Sequence, residues 1–331
     1  MKINILIIIN LLSMAPLYAS SNYSIIFVHL GRALPSHVKY ALHQARLFND
    51  ETDIYLATNS FTKQDSEDQS IIATDKIKVV YCENLPQSES HKIFLKNSTL
   101  DSSKEGFWRK ASERFFVLEE LITNYDLRHV FHLESDNMLY VCLDEFISIF
   151  KTYKTMAAVF DNDIRCIPSF VYINDKNAIK KLTTFIAQRA NQGLNDMQII
   201  ALFKNVEGRH NIEHLPIICP EYCQYYELKN TLGDRVKDRT RYYHDFQNFL
   251  SVFDAAAIGQ YLGGTDKIAH GANAPGPGFI NESCVFNPAY CSFEWIKDER
   301  DRKIPYLIFK GKKYRINNLH IHSKQLDKFQ S

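Results

Sequence analysis

The sequence predicts an α/β domain built on a mixed, mainly parallel sheet, and three observations carry that expectation. Short β-branched and aromatic runs alternate with longer segments of helical period through the first half of the chain. No Gly-, Pro- or Ser-rich linker divides the sequence, so one domain over residues 22–325 is expected. With 331 residues, 45% of them hydrophobic, the chain can bury a sizeable core.

Residues 1–20, MKINILIIINLLSMAPLYAS, combine Lys2, an apolar run from Ile3 to Leu12 and small residues near Ala19, the layout of a secretory leader. Export is expected, with an uncleaved N-terminal anchor as the alternative. The apolar run is short for a membrane span, and membrane association is expected through this segment alone. The run YSIIFVHLG, residues 23–31, then reads as a buried first strand that stops at Gly31. PSHVKYALHQARLF follows as a helix opened by Pro35 and Ser36, with Val38, Ala41, Leu42 and Ala45 at helical spacing. Asn49-Asp50 ends it before a second strand, DIYLATN. A polar stretch, SFTKQDSEDQS, leads to a third strand, IKVVYCENL.

KEGFWRKASERFFVLEELITNYD reads as a helix because Phe107, Ala111, Phe115, Leu118 and Leu121 recur at steps of three and four residues. It feeds HVFHLESDNMLYV, read as a strand. In a mainly parallel sheet, ligands sit beyond the carboxyl ends of the strands, where Glu134 and Asp136 fall. Further strands are expected at MAAVFDND and SFVYIND, and helices over 176–190 and 196–203. The Gly-, Ala- and Pro-rich segment 254–279 reads as a short helix and a loop free to move. The tail reads as a hairpin around Lys310-Gly311-Lys312 and a last strand carrying His320 and His322.

The 39 basic and 38 acidic residues leave a formal charge of +1, which gives no footing for a broad nucleic-acid surface. The seven cysteines lack the paired spacing of a zinc site, while Cys284 and Cys291 bracket a short loop and can pair if the protein is exported. The sequons at Asn22, Asn97 and Asn281 matter only if the host glycosylates exported chains.

Glu134-Ser135-Asp136 has an acidic-x-acidic spacing that, at a strand end, turns both carboxylates to one side. Buried carboxylates need a cation, a metal or hydrogen bonds. Two hard oxygen donors on one side suit Mn²⁺ or Mg²⁺, and such an ion suits a diphosphate ligand. The plainer alternative is a cap on a following helix. His320 and His322, two residues apart, share one face of a strand and offer imidazole to the same ion; a surface pair is the plainer alternative.

Together, the start with VHLG and LP, the FWRKASERFF helix, HLESDNMLY and NLHIHSKQL resemble the nucleotide-sugar glycosyltransferases of the type A fold, whose domain is Rossmann-like. The resemblance covers the layout of residues 24–325. It implies metal-dependent transfer of a sugar from a nucleotide-diphosphate donor, most simply a UDP-sugar, to a hydroxyl of a carbohydrate, lipid or protein acceptor. The family's D-x-D element corresponds to Glu134-Ser135-Asp136, here opening with the longer Glu, and a histidine near the C-terminus completes its metal site, which points to His320 and His322. Lys324 can meet a phosphate as a point charge, a solvated lysine being the default. Arg109, Lys110 and Arg114 stand where the family's basic residues help to neutralise the diphosphate. A charged solvent face shared with Glu113 and Glu119 is the equal alternative. His29, Gly31 and Arg32 occupy the place where such enzymes hold base and ribose.

Asn195-Asp196 resembles the x-E-D element of inverting members, whose acid deprotonates the acceptor, although Asp in the first turn of a helix is also an ordinary cap. Asp254 competes for that role: it begins a helix, and Gly263-Gly264 would let backbone amides approach a ligand. Asp161 and Asp163 are a third choice and read first as turn residues. A different class of protein is the alternative: an exported carbohydrate-binding or interaction protein that keeps the fold without catalysis. A nucleotidyltransferase is a weaker choice, because no Gly-rich, Lys-containing loop follows the first strand.

Overall fold

The computed structural model describes residues 23–331 apart from 32, 61–71, 101–102, 230–235, 237 and 268–270. The leader-like segment, Asn22, Arg32 and most of SFTKQDSEDQS therefore lie outside the described residues. The strands of the main body are β1 (Ser24–His29), β2 (Asp53–Thr58), β3 (Lys78–Tyr81), β4 (Val130–Leu133), β5 (Asn137–Leu139), β6 (Met156–Asn162), β7 (Arg165–Ile173) and β8 (Glu213–His214). Seven of them form a sheet in the order β3-β2-β1-β4-β7-β6-β8. Neighbours are parallel except where β7 runs against β4 and β6. This is the mixed, mainly parallel α/β class expected from the sequence.

Alternation along β1 sends Ile25 and Phe27 into one core and Ile26 and Val28 into another. Helix α1 (Val38–Phe48) covers the first face with Val38, Ala41, Leu42, Ala45 and Phe48. The second face is covered by α2 (Glu89–Asn97), α3 (Ser103–Asn124), α4 (Lys176–Gln188) and α5 (Asp196–Glu207). Phe115, Phe116, Leu118, Leu121 and Ile122 of α3 are its main apolar payload. Phe107, expected in that stripe, is instead 55% exposed.

Helix α2 was not expected from the sequence, because only His91 and Phe94 of it are buried and no apolar period announces it. A polar clamp holds it instead. His91 Nδ1 lies 2.8 Å from Glu120 Oε1 and Nε2 lies 3.3 Å from Glu113 Oε1, while its ring stacks on Phe116. Ser88 caps the helix and donates to Glu119. Glu113 and Glu119 thus face α2 and form no solvent-facing charge stripe. Burial disfavours the His91 imidazolium, but the two glutamates outweigh burial and raise its pKa from 6.5 to about 9. The clamp's contribution is therefore fully present below about 6.5 and is lost as pH rises through about 9, by at most about 3 kcal/mol. Urea midpoints at pH 6 and pH 9.5 should show this loss in the wild type and not in His91→Gln; parallel pH dependence in the two proteins would refute it.

A second sheet, β10-β11-β12-β9, comprises β9 (Ser251–Val252), β10 (Ser292–Lys297), β11 (Lys303–Phe309) and β12 (Lys312–Ile316). The expected hairpin around Lys310-Gly311-Lys312 is the β11–β12 connection. The final strand, β13 (Asn318–His320), pairs antiparallel with β5. HVFHLESDNMLYV, expected as one strand, is thus two strands in two sheets. Asn137 N donates to Glu134 O at 3.0 Å, so the chain turns through Glu134-Ser135-Asp136 before β5 begins. Helix α6 (Ala257–Gly263) packs on β13 so closely that Gly259 leaves no room for a Cβ. The seven cysteines are free thiols, so the Cys284–Cys291 bridge is not formed. Among the described residues, no helix is long and apolar enough to cross a membrane.

Candidate metal centre and its surroundings

Strand β4 ends at Leu133, so the turn after it, not strand alternation, brings Glu134 and Asp136 to one place. Ile321 N donates to Asp136 O at 2.9 Å, and the β5–β13 register sets His320 opposite Asn137. His320 thereby meets both acids: its Nε2 is 3.1 Å from Glu134 Oε2 and 3.2 Å from Asp136 Oδ2. Its Nδ1 lies 2.9 Å from the Ala255 carbonyl, which must accept the Nδ1 proton and leaves Nε2 as the atom presented to the carboxylates. The three ligand atoms lie within 4.8 Å of one another. Ligand atoms bonded to an ion at about 2.0–2.2 Å and at right angles sit about 3 Å apart. The donor set and its spacing therefore fit a divalent ion.

The charges are arranged to keep both acids ionised. Burial pushes the Asp136 carboxyl up, but Lys324 and His320 outweigh burial and hold it well below the usual carboxylate range. Glu134 is likewise held down against burial, first by the Arg114 guanidinium and then by His320. Burial opposes charge on His320, yet Asp136 and Glu134 raise its pKa well above the ordinary value. Lys324, in a left-handed backbone conformation at φ 61°, ion-pairs with Asp136, so it stands at the centre and is no solvated lysine.

Arg114 joins this centre to Asp196. Its Nη1 pairs with Glu134 Oε1 and its Nη2 donates to Asp196 Oδ2 at 2.7 Å. Asp196 opens α5 but does not cap it: Asn195 does, in a reciprocal capping box with Gln198. The Asp196 side chain is thereby free to turn inward, where it is 3% exposed and its Oδ1 has no hydrogen-bond partner. Burial raises its pKa, with Arg114 acting the other way. The two oxygens of Glu134 have separate partners. One carboxylate oxygen reaches His320 and the other reaches Arg114.

Other expected site residues are placed differently. His322 lies in the turn beyond the end of β13, so it does not share a strand face with His320. Its ring sits 4.3 Å from that of His320, its Nε2 is buried without a partner, and burial together with His320 lowers its pKa to about 3. It is a neutral neighbour and stands outside the three-ligand group. Asp254 is fully enclosed and its carboxylate is spent on backbone amides: Ile258 N at 3.0 Å, Gly259 N at 2.8 Å and His320 N at 3.0 Å. Gly259 and Gly264 admit protein backbone, and Gly263 faces the side chains of Ser323, Phe329 and Ile321. A Cβ on Gly259 would stand 2.0 Å from the His320 carbonyl oxygen, and one on Gly264, at φ +78°, 2.7 Å from the Pro275 oxygen.

Arg109 reaches the Leu95 carbonyl on α2 at 3.4 Å, away from the acids, and Lys110 is half-buried within electrostatic reach of His29. Arg114, one turn further along α3, turns to the two carboxylates of Glu134 and Asp196 at the carboxyl end of the sheet. Ser135 is a half-buried member of the turn. His29 and Gly31 stand at the carboxyl end of β1, with His29 Nε2 on the Ala33 carbonyl and Gly31 N donating to Asn59 Oδ1. Asn59 in turn donates to Glu83, which also accepts from Ser60 N, tying together the ends of β1, β2 and β3. Asn59 and Glu83 were missed in the sequence, although both close a strand-like run. His37, also missed, precedes α1. Burial lowers its pKa to about 4, and Asp136, Lys324, His29 and Asp266 all act on it, which places it on the rim of the centre.

No family model matches the sequence, and no curated protein matches it. Among solved structures the chain is similar to mouse xyloside xylosyltransferase 1 in its apo form, at 8% identity and a TM-score of 0.43 over 61% of this chain and 90% of that one. It is similar to core-mannan synthase A from Aspergillus fumigatus in an Mn/GDP form, at 9% identity and a TM-score of 0.42 over 59% and 73%. A galactosyltransferase, LgtC, solved with donor and acceptor sugar analogs, matches at 12% identity and a TM-score of 0.40 over 66% and 81%.

Proposed function

We propose that this protein is a metal-dependent glycosyltransferase that moves a sugar from a nucleotide-diphosphate donor, UDP-linked, to a hydroxyl of an acceptor. The observation that carries the reading is the convergence of Glu134, Asp136 and His320 at the carboxyl end of a mainly parallel sheet, with the ring of His320 oriented by Ala255. Glu134, Asp136 and His320 would hold Mn²⁺ or Mg²⁺, which supplies Lewis-acid stabilisation of the leaving diphosphate when bound. Lys324 adds a positive charge beside Asp136, so diphosphate oxygens would meet a cationic face. His29 and Gly31, with Asn59 and Glu83, would border the base and ribose at the ends of β1 to β3.

Arg114 holds the Asp196 carboxylate at Oδ2, and Oδ1 is buried without a partner. That unpaired oxygen would accept from a sugar hydroxyl, or take its proton if the reaction inverts the anomeric centre, once the acceptor displaces the side chains that enclose it. Export through the leader-like residues 1–20 belongs to the same proposal and is read by the N-terminal residue of the secreted protein. The direct test is calorimetric titration of the protein with UDP, with and without Mn²⁺, and with GDP as a second nucleotide. Binding of UDP that requires Mn²⁺ is expected; absence of binding by either nucleotide under both conditions would overturn the proposal.

A further inference from the structure

Next to the three ligand atoms lies a connected set of buried polar groups. Asn137, Ser169 and Asn318 are fully buried and Asp254 is 1% exposed. Asn137 Nδ2 donates to the Ser169 carbonyl at 2.6 Å, and Asn318 Nδ2 donates to Asn137 Oδ1 at 3.0 Å. Asn318 also brackets Asp254: its Oδ1 accepts from Asp254 N at 3.1 Å and its Nδ2 donates to Asp254 O at 3.0 Å. Asp254 then grips β13, because its Oδ2 accepts from both His320 N and Gly259 N. The next residue completes the hold, with Ala255 O accepting from His320 Nδ1.

His320 is therefore held at its main chain and at its ring by two consecutive residues. Each buried polar atom in such a set is costly unless it is paired, and a set whose members satisfy one another is stiff. The β5–β13 pairing alone would fix the His320 backbone and leave its ring free to choose a rotamer. The carbonyl of Ala255 removes that choice, and Asp254 sets where the carbonyl stands.

We propose that Asp254 is a positioning residue for the metal centre: together with the Ala255 carbonyl it holds His320 with Nδ1–H turned inward and Nε2 turned to Glu134 and Asp136. The proposal rests on the metal-dependent reading above. A carboxylate suits the place because three N–H groups converge on it; an amide would turn its own NH₂ against one of them.

The test compares Asp254→Asn with the wild type in two ways: Mn²⁺ affinity by electron paramagnetic resonance of the free ion, and the exchange rate of the His320 Nδ1 proton by ¹H–¹⁵N NMR of the metal-free protein. The variant is expected to bind Mn²⁺ about tenfold or more weakly, and its Nδ1 proton to lose the protection seen in the wild type. If Asp254→Asn does not fold, Asn318→Ser carries the same expectation, since it removes the bracket and keeps the carboxylate. A folded variant with wild-type Mn²⁺ affinity and a protected proton overturns the proposal, as does a wild type whose Nδ1 proton is unprotected. A wild type that binds no Mn²⁺ refutes the metal reading instead, and the NMR comparison still decides the positioning role.

Discussion

Asp136→Asn is expected to weaken Mn²⁺-dependent binding of UDP by more than about 100-fold while leaving the protein folded, because changes one shell further out already cost about 10–100-fold in metal affinity. Asp136 is the hub of the centre. Its Oδ2 meets His320 Nε2 at 3.2 Å and also the Lys324 ammonium. An amide there removes a negative charge and weakens the hard oxygen donor set, and an NH₂ turned to the Lys324 ammonium would set donor against donor. Folding should survive. The main-chain bond from Ile321 N to Asp136 O does not depend on the side chain, and the Lys324 side chain, 33% exposed, can turn to water. Calorimetry with and without Mn²⁺ measures the effect, and retention of Mn²⁺-dependent UDP binding by the variant would remove Asp136 from the ligand set.

The largest effect on stability is expected from Gly259→Ala. The added Cβ would stand 2.0 Å from the His320 carbonyl oxygen, 2.6 Å from its carbon and 3.0 Å from Asp254 Oδ2. The first two are backbone atoms, so no side chain can swing aside. Helix α6 and strand β13 must separate, and the bonds from Asp254 to Gly259 N and His320 N go with them. A loss of about 3 kcal/mol or more is expected, at the severe end of overpacking. Gly263→Ala on the same helix is the control: its nearest neighbours are side-chain atoms at 3.2–3.4 Å, which can yield, so a loss below about 1 kcal/mol is expected. Urea unfolding measures both. Equal midpoints for the two variants would mean that α6 and β13 do not approach as closely as described.

The elements read most clearly in the sequence are those whose apolar residues face a core. β1, α1, β2 and α3 each carry a run or a stripe and appear close to the expected bounds, whereas β3, expected over IKVVYCENL, stops at Tyr81 because Cys82–Asn84 turns into a short 3-10 helix. Helix α2 carries no such stripe and was invisible, because its hold on the core is one apolar side chain, Phe94, together with a histidine clamped by two glutamates. The HVFHLESDNMLYV stretch misled for a related reason. Both of its halves are buried strands, and the reversal between them rests on one backbone bond from Asn137 to Glu134 that no residue type announces.

At the site, the acid pair was legible because carboxylates near a strand end are costly without a partner, while His320 was singled out, together with His322, through the family resemblance and not from its own pattern. Their partners were not legible. Arg114 and Asp196 are 82 residues apart, and nothing in the spacing foretells that one guanidinium would join Asp196 to Glu134. Asp196 and Asp254 looked alike, each an Asp at a helix start. The structure separates them by what surrounds them: Asp196 keeps an unpaired, buried oxygen because Asn195 does the capping, whereas both carboxylate oxygens of Asp254 are taken by backbone amides.

The sequence by itself determined the α/β class, the order of most elements and the residue types able to bind an ion, since these follow from local periodicity and the cost of burying charge. Only the tertiary structure decided which of those residues meet. His320 reaches Glu134 and Asp136 through a pairing of β13 with β5 that spans about 180 residues of chain, and His322, two positions later, falls outside it because the strand has already ended. Such meetings are set by sheet register and by close backbone approach at Gly259, and those are properties of the packed whole that no local pattern encodes.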